Sequence, residues 1–186
     1  MGKYVYRNEE CMKKIHSFYD KSLALLDVEY SDLYIQTSFG KTHVIIVGDK
    51  TKKPIFTLHG GNGINPLNIR LFLPLLDKYY FIAPDVIGMP GKSDPFRNLN
   101  SNKNDYGNWI CEILDEIKID KIMFVVSSYS SAMTLSLAKI YPERISKAVL
   151  LMPSGIAHGA LLPIMWKMSI PFIKYYFRPS KKQWKE

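Results

Sequence analysis

The chain has 186 residues, a length typical of a single globular domain. Apolar residues make up 47% and charged residues 23%, a composition that favours a packed core and excludes a disordered chain. The formal net charge of +8 is spread along the sequence without a dense basic block interleaved with aromatic residues, so we expect no nucleic-acid partner.

The cysteines and the first residues give expectations about the compartment. Cys11 and Cys111 lie far apart and no metal-ligand spacing is present, so we expect a reduced, cytoplasmic protein with no metal site. The opening sequence MGKYVYRNEE lacks the apolar core of a secretory signal. Tyr6 stands where a myristoylation motif has serine or threonine, so we expect no lipid anchor.

The first part of the chain predicts a helix followed by a β-hairpin. Apolar side chains recur at helical spacing from position 8 to position 26. LYIQTSF (33–39) and THVIIVG (42–48) then predict two strands that flank a turn at Gly40-Lys41. His43 lies on the second strand, where we expect it at the surface and give it no role.

From Pro54 onward, apolar strands alternate with helices. The predicted strands are 54–60, 80–86, 121–127 and 145–153, and the predicted helices lie within NIRLFLPLLDKYY, 105–117 and 132–141. Strands that are apolar on both faces and alternate with helices predict an α/β fold with a doubly wound, mostly parallel sheet. Ligands of such sheets bind at the carboxyl ends of the strands.

The chain divides on this interpretation into three parts. An N-terminal helical extension (1–30) precedes the α/β core (31–159), and the remainder (160–186) is apolar, interrupted by prolines and then basic. We interpret 160–186 as the start of a helical cap or lid. The prolines and Lys167 argue against a membrane span, and membrane contact is not expected.

Polar stretches follow three of the predicted strands at their carboxyl ends. They are HGGNG (59–63), DVIGMPGKSD (85–94) and SSYSS (127–131). The middle stretch contains Gly-Lys-Ser, but the spacing of its glycines does not fit a phosphate-binding loop, so we interpret it as a turn-rich rim loop. The aromatic and apolar stripe of helix 105–117 predicts core packing and not a cofactor site.

The serine cluster matches the position of a nucleophile elbow, a sharp strand-to-helix turn. In the register G-x-S-x-G, Ser128 is the nucleophile, and the N–H of Tyr129 can donate to an oxyanion. The second donor comes from a glycine-rich loop after an earlier strand, for which we favour the N–H of Gly61. The alternative is that Ser128 only caps a helix. We interpret the other hydroxyls of the cluster, Ser127, Ser130 and Ser131, as cap or first-turn groups.

These stretches, in this order, resemble the α/β-hydrolase superfamily and most closely its bacterial carboxylesterase-like members. The resemblance is carried by FTLHGGNG, YFIAPDVIGMPGKSD, DYGNWICEILDEIKIDK and VVSSYSSAMTLSLAKIYPERISKAVLLMPSGI, and it runs from about Glu9 to Lys182. It implies a serine hydrolase that acts on small-molecule acyl esters with a Ser, Asp and His triad and no cofactor. It also implies that His59 and Gly60 support the oxyanion loop and that His59 is not the catalytic base.

Two departures from the family pattern affect the expected activity. Val126 and Ser130 replace the flanking glycines, and we expect the branched Val126 to crowd the turn and resist positive φ. The family order is serine, then acid, then histidine. After Ser128 the sequence offers Glu143, Glu186 and His158, none at a family position, although His158 could be a substitute base or only a loop residue at the cap entry.

The resemblance therefore predicts a C-terminally truncated member whose catalysis is impaired because the triad Asp and His are absent. The alternative is a non-enzymatic interaction module, or one half of a split hydrolase that another chain completes. Either case leaves an apolar sheet edge after the strand 145–153. We expect a partner chain or self-association to cover that edge.

Overall fold

The computed structural model describes residues 3–154, 156, 166 and 169. The chain divides into two units, Met1–Gly155 and Ile156–Glu186. The predicted cap (160–186) lies outside the described residues except for Trp166 and Ser169, which are both helical. Every strand and helix given below belongs to the first unit.

The first unit is built on a six-stranded mixed sheet with the strand order β1-β2-β4-β3-β5-β6. The strands are β1 (Tyr30–Thr37), β2 (Gly40–Val47), β3 (Lys53–Phe56), β4 (Tyr79–Pro84), β5 (Ile122–Ser127) and β6 (Ile145–Leu151). β1 pairs with β2 and β2 with β4 in antiparallel fashion, whereas β3 is parallel to β4 and β5, and β5 is parallel to β6. The predicted fold class, an α/β fold with a mostly parallel sheet, is confirmed.

Helices flank this sheet. They are α1 (Glu9–Ala24), α2 (Asn65–Phe72), α3 (Asp105–Glu116) and α4 (Tyr129–Ile140), with short 3₁₀ turns at Leu73–Asp77, Ser101–Lys103 and Pro142–Arg144. α1 begins after Asn8, whose side-chain oxygen accepts a hydrogen bond from the N–H of Cys11 (2.8 Å). Glu9 and Glu10 in its first turn complement the positive end of the helix dipole.

Two apolar clusters cover the two faces of the sheet. α3 and α4 supply Trp109, Ile113, Met133 and Leu137 to one cluster, and α1 and α2 supply Tyr19, Leu23, Ile69 and Phe72 to the other. Each buried large side chain contributes about 1.5–3 kcal/mol. A sheet that is apolar on both faces therefore requires helices on both, which explains the alternation in the sequence.

The hairpin differs from its prediction at the turn. Thr37 of β1 pairs with Gly40 of β2, so the turn is Ser38-Phe39 and not Gly40-Lys41. The carboxylate of Glu112 on α3 accepts hydrogen bonds from the N–H and the hydroxyl of Ser38. A side chain that is 74 residues away in sequence therefore helps to fix the turn, and local propensity could not predict it.

β6 also differs from its prediction. The predicted buried strand 145–153 is a strand over Ile145–Leu151, but most of its side chains are exposed. Val149 is 46% and Leu151 is 42% exposed. Among the described residues, β6 pairs only with β5 and is the last strand of the sheet order. An apolar strand at an edge retains exposed surface unless another element packs on it.

Candidate active site

The candidate nucleophile lies at the junction of β5 and α4. Ser128 follows the last residue of β5 and precedes the first residue of α4, and its side chain is exposed. Its backbone has φ 55° and ψ −125°, a strained conformation for a residue with a Cβ atom. The N–H of Ser128 donates to the carbonyl of Leu151 (2.9 Å), and its own carbonyl accepts from Ser131 (3.1 Å) and Ser154 (3.2 Å). The strained residue is therefore held on both sides by backbone hydrogen bonds.

The residues that replace the flanking glycines fit this turn. The positive φ falls on Ser128, whereas Val126 lies within β5, is fully buried and belongs to the larger apolar cluster. The expected crowding by Val126 is therefore not observed. Ser130 is also buried, and its hydroxyl donates to the carbonyl of Ser127 (2.6 Å) while accepting from the N–H of the same residue (3.1 Å). The serine thus ties the first turn of α4 to the end of β5.

The loop after β3 lies beside this turn because β3 and β5 are parallel neighbours whose carboxyl ends meet at one edge of the sheet. A Cβ atom built on Gly60 would lie 3.7 Å from the Cβ of Ser128. A Cβ built on Gly61 would lie 3.7 Å from the Cβ of Tyr129. The sheet therefore brings together the serine turn and the glycine loop that the sequence suggested as partners.

His59 is a buried brace in this loop. It is fully buried, its Nε2 accepts a hydrogen bond from the N–H of Val86 (3.1 Å), and its Nδ1 donates to the carbonyl of Gly60 (3.0 Å). Burial lowers the pKa of His59, against the opposing effects of Asp85 and the Gly60 carbonyl, so the neutral ring is favoured. The imidazole thus connects the loop after β3 with the loop after β4, and its burial removes it from contact with a substrate.

A buried carboxylate behind the site was not predicted from the sequence. Asp85, just after β4, is fully buried and accepts four side-chain or backbone hydrogen bonds. Its Oδ1 accepts from Tyr19 (3.1 Å) and Asn65 (2.8 Å), and its Oδ2 accepts from the His43 ring (2.9 Å) and the N–H of Lys92 (2.8 Å). Burial, then Asp85, raise the pKa of Tyr19, so its hydroxyl remains a donor. The network joins α1, α2, β2 and the rim loop.

His43 corrects the expectation of a surface residue without a role. Its side chain is fully buried, with Nδ1 2.9 Å from Oδ2 of Asp85 and Nε2 2.7 Å from Oδ1 of Asp32. The ring therefore bridges a carboxylate on β1 and a carboxylate just after β4. The rings of Tyr19 and Tyr34 enclose it. The signal in the sequence was one ionisable residue inside the apolar run THVIIV, and its partners lie on β1 and just after β4.

A cavity of about 260 Å³ opens next to the serine turn. It is enclosed by the loops after β3 and β4 and by the first turns of α3 and α4. Its lining comprises Gly61, Asn62, Ile87, Gly88, Met89, Arg97, Leu99, Tyr106 and Tyr129. Tyr106 belongs to the stripe that the sequence assigned to the core, but it is only partly buried and faces this cavity, whereas Trp109 and Ile113 are fully buried.

A catalytic base is not found in the part of the chain that the structure describes. Among those residues, the Ser128 hydroxyl makes no hydrogen bond to a histidine or a carboxylate. Glu143 lies in the turn before β6, and β6 runs parallel to β5, so Glu143 is at the opposite end of the sheet from Ser128. His158 lies outside the described residues. The described residues also contain no cluster suited to a metal ion and no helix long and apolar enough to cross a membrane.

Comparison with known proteins identifies the family to which the fold belongs. The sequence profile of the α/β hydrolase fold matches residues 53–186, and the chain belongs to this family. It is 31% identical over 141 residues to an uncharacterised carboxylesterase of Bacillus subtilis (strain 168), an alignment that covers 76% of this chain and 47% of the relative. It is 26% identical to the carboxylesterase YbfK of the same organism, with the same coverage.

The fold is also similar to that of a solved carboxylesterase structure. The crystal structure of naproxen esterase (carboxylesterase NP) from Bacillus subtilis superimposes with a TM-score of 0.70 at 32% sequence identity, and the match covers 76% of this chain and 49% of that chain. The chain therefore spans about half the length of the curated relatives it matches. The three relatives named above are described as carboxylesterases.

Proposed function

We propose that the chain is the nucleophile-bearing part of a serine hydrolase of carboxylesterase type that acts on small-molecule acyl esters. Ser128 is the nucleophile, and the backbone N–H groups of Tyr129 and Gly61 are the oxyanion donors, supported by His59 and Gly60. The observation that carries the proposal is the exposed Ser128 with φ 55° between β5 and α4, next to the glycine loop. The similarity to carboxylesterases supports the same reading.

Each proposed role follows from the chemistry of acyl transfer. The Ser128 Oγ attacks the ester carbonyl carbon, the carbonyl oxygen becomes an oxyanion, and the alcohol then leaves with a proton to give an acyl-enzyme. Water releases the acid in a second step. Backbone N–H groups fixed in a turn stabilise the developing oxyanion because they need no reorganisation, and one such donor is typically worth about 10²–10³ in rate.

Proton transfer is the step that the described residues do not supply. A serine hydroxyl is a weak nucleophile without an adjacent base. Loss of the serine or histidine of a triad lowers turnover by up to about 10⁶, although oxyanion donors retain part of the acceleration. We therefore propose that the described unit by itself is strongly impaired and that full activity depends on a base and an acid from outside residues 3–154.

A fluorophosphonate probe tests the nucleophile directly. The purified protein is incubated with the probe, and labelling is measured by intact mass. Labelling of the wild type that is lost in Ser128→Ala supports the proposal. The matched control is Ser127→Ala, one residue earlier in the same cluster, which should still be labelled. Labelling that survives Ser128→Ala would mean that another residue is the nucleophile.

A second candidate function is favoured by the exposed β6. On this alternative the unit is a binding module, or one half of a split hydrolase, and another polypeptide or a second copy covers the sheet edge. The support is the exposure of Val149 and Leu151 and the half-length match to the relatives. Sedimentation velocity of the wild type and of Val149→Lys/Leu151→Lys tests this candidate. Association that the paired substitution abolishes supports it, and a wild type that is monomeric at high concentration argues against self-association.

A further inference from the structure

The cavity beside Ser128 contains an arginine that has no acidic partner. Arg97 is exposed, and within the described part of the chain its guanidinium makes no ion pair and no hydrogen bond. The carboxylates on either side of it in sequence each accept a backbone hydrogen bond. Asp94 accepts from the N–H of Phe96 (3.1 Å) and Asp105 accepts from the N–H of Asn100 (2.8 Å). Neither carboxylate forms an ion pair with the Arg97 guanidinium, although the pKa of Tyr106, which burial raises, is raised further by the charge of Asp105.

The backbone at Arg97 is fixed although its side chain is exposed. Its N–H donates to the carbonyl of Lys3 (3.0 Å), and the preceding Phe96 forms a β-bridge with Tyr4. Gly88 has φ +72° and packs so closely that an added Cβ would lie 2.6 Å from the Cα of Arg97. The N-terminal segment and the loop after β4 thus hold this residue at the wall of the cavity.

Two phenols in the same cavity leave one hydrogen-bond donor unused. The hydroxyls of Tyr129 and Tyr106 are 3.3 Å apart, and their rings are nearly perpendicular with centroids 6.1 Å apart. Two O–H groups that share one hydrogen bond leave one hydrogen free, whichever of them donates. Burial and the contact with Tyr129 raise the pKa of Tyr106, so the Tyr106 hydroxyl remains protonated at neutral pH. Neither hydroxyl has another partner among the described residues.

Arg97 and the Tyr106–Tyr129 pair therefore present hydrogen-bond donors without an acceptor to the cavity. Its lining also includes Asn62 and the apolar side chains of Ile87, Met89 and Leu99. We propose that this cavity selects esters whose acyl part carries an anionic group, such as a carboxylate, and that Arg97 with the Tyr106–Tyr129 pair binds that group. This inference rests on the proposed function, because it places the acyl part beside Ser128. At about 260 Å³ the cavity suits a short acyl chain.

Two probes that are matched in length and differ in charge test the selectivity. Two fluorophosphonates share the reactive group and the chain length, and one ends in a methyl group and the other in a carboxylate. The ratio of their labelling rates, carboxylate over methyl, is measured for each protein, so that the methyl probe normalises any general change. We expect this ratio to fall about tenfold in Arg97→Gln, since a hydrogen bond to a charged group is lost. Arg97→Lys should retain part of it, because the charge remains but the planar fork is lost.

The matched control is Arg70→Gln, which removes the same charge from an exposed position on α2 outside the cavity lining. Its ratio should equal that of the wild type. A ratio that is unchanged in Arg97→Gln, or that falls equally in Arg70→Gln, would overturn the inference.

A binding experiment separates this inference from the proposed nucleophile. If neither probe labels the wild type, Ser128 is not a reactive nucleophile in this chain, and calorimetric titration with glutarate then tests the cavity by itself. Binding to the wild type that weakens about tenfold in Arg97→Gln supports an anion site. No glutarate binding, or equal affinity in the two proteins, would refute it.

Discussion

Ser128→Gly is expected to be more stable than Ser128→Ala. Both variants lose the hydroxyl, so the comparison isolates the effect of the Cβ atom at φ 55° and ψ −125°. A residue held in such a sparsely populated conformation costs about 1–3 kcal/mol, and glycine avoids most of this strain. Glycine also gains freedom in the unfolded chain, which destabilises the fold by about 0.5–1 kcal/mol. The difference leaves glycine ahead by about 1 kcal/mol.

Urea unfolding followed by far-ultraviolet circular dichroism measures this difference. In thermal unfolding, a gain of about 1 kcal/mol in the free energy of unfolding corresponds to a rise in Tm of roughly 2–4 °C for a chain of this size. Ser127 provides the control, because it is the last residue of β5 and takes an extended conformation without positive φ. There Ser127→Gly should be less stable than Ser127→Ala by about 0.5–1 kcal/mol. If alanine is the more stable replacement at Ser128, as it is expected to be at Ser127, the turn at Ser128 is not strained and the elbow geometry is wrong.

Three further predictions concern the buried polar groups. Because burial lowers the pKa of His59, the unfolded chain binds a proton at this residue more readily than the folded protein does. The free energy of unfolding should therefore fall as the pH falls below about 6.5. His59→Gln should reduce the change in urea midpoint across that pH range. Asp85→Asn should destabilise the fold by about 3 kcal/mol in urea unfolding, because His43 loses a buried carboxylate partner. Asp32→Asn should destabilise it less, because the Asp32 side chain is 43% exposed. Ser131→Ala should raise the free energy of unfolding by about 1 kcal/mol, since the Ser131 hydroxyl is buried and has no hydrogen-bond partner among the described residues. A loss of stability in this variant would show that the hydroxyl has a partner.

Much of the architecture could be predicted from the sequence. The alternation of apolar strands with amphipathic helices gave the α/β class, and the predicted strand 121–127 agrees closely with β5 (Ile122–Ser127). The helix after it begins at Tyr129, three residues before the predicted start at position 132. Apolar periodicity identifies the body of a helix but not its first turn. In the first turn of α4, the small polar Ser130 is buried and donates a hydrogen bond to the carbonyl of Ser127, so the apolar pattern does not extend to it.

The candidate site was predictable only in part. A serine cluster and a glycine loop, each after a buried strand, could be placed at the same edge of the sheet because parallel strands share that edge. The contribution of Arg97 could not be predicted, since it lies in the irregular segment between β4 and α3 and reaches the cavity through contacts with Lys3 and Gly88. The sequence of a loop does not specify which distant residues it meets.

The sequence by itself determined where apolar faces occur, and hence the strands, the helices and the position of Ser128 between two of them, because side-chain periodicity is a local property. The tertiary structure decided the partners of ionisable groups: His43 is paired with Asp85, 42 residues away, and is buried where its strand alone suggested exposure. It also decided that β6 keeps an exposed apolar surface, since an edge strand is buried only by what packs on it. Burial and pairing depend on segments that are far apart in the chain, and no local pattern encodes them.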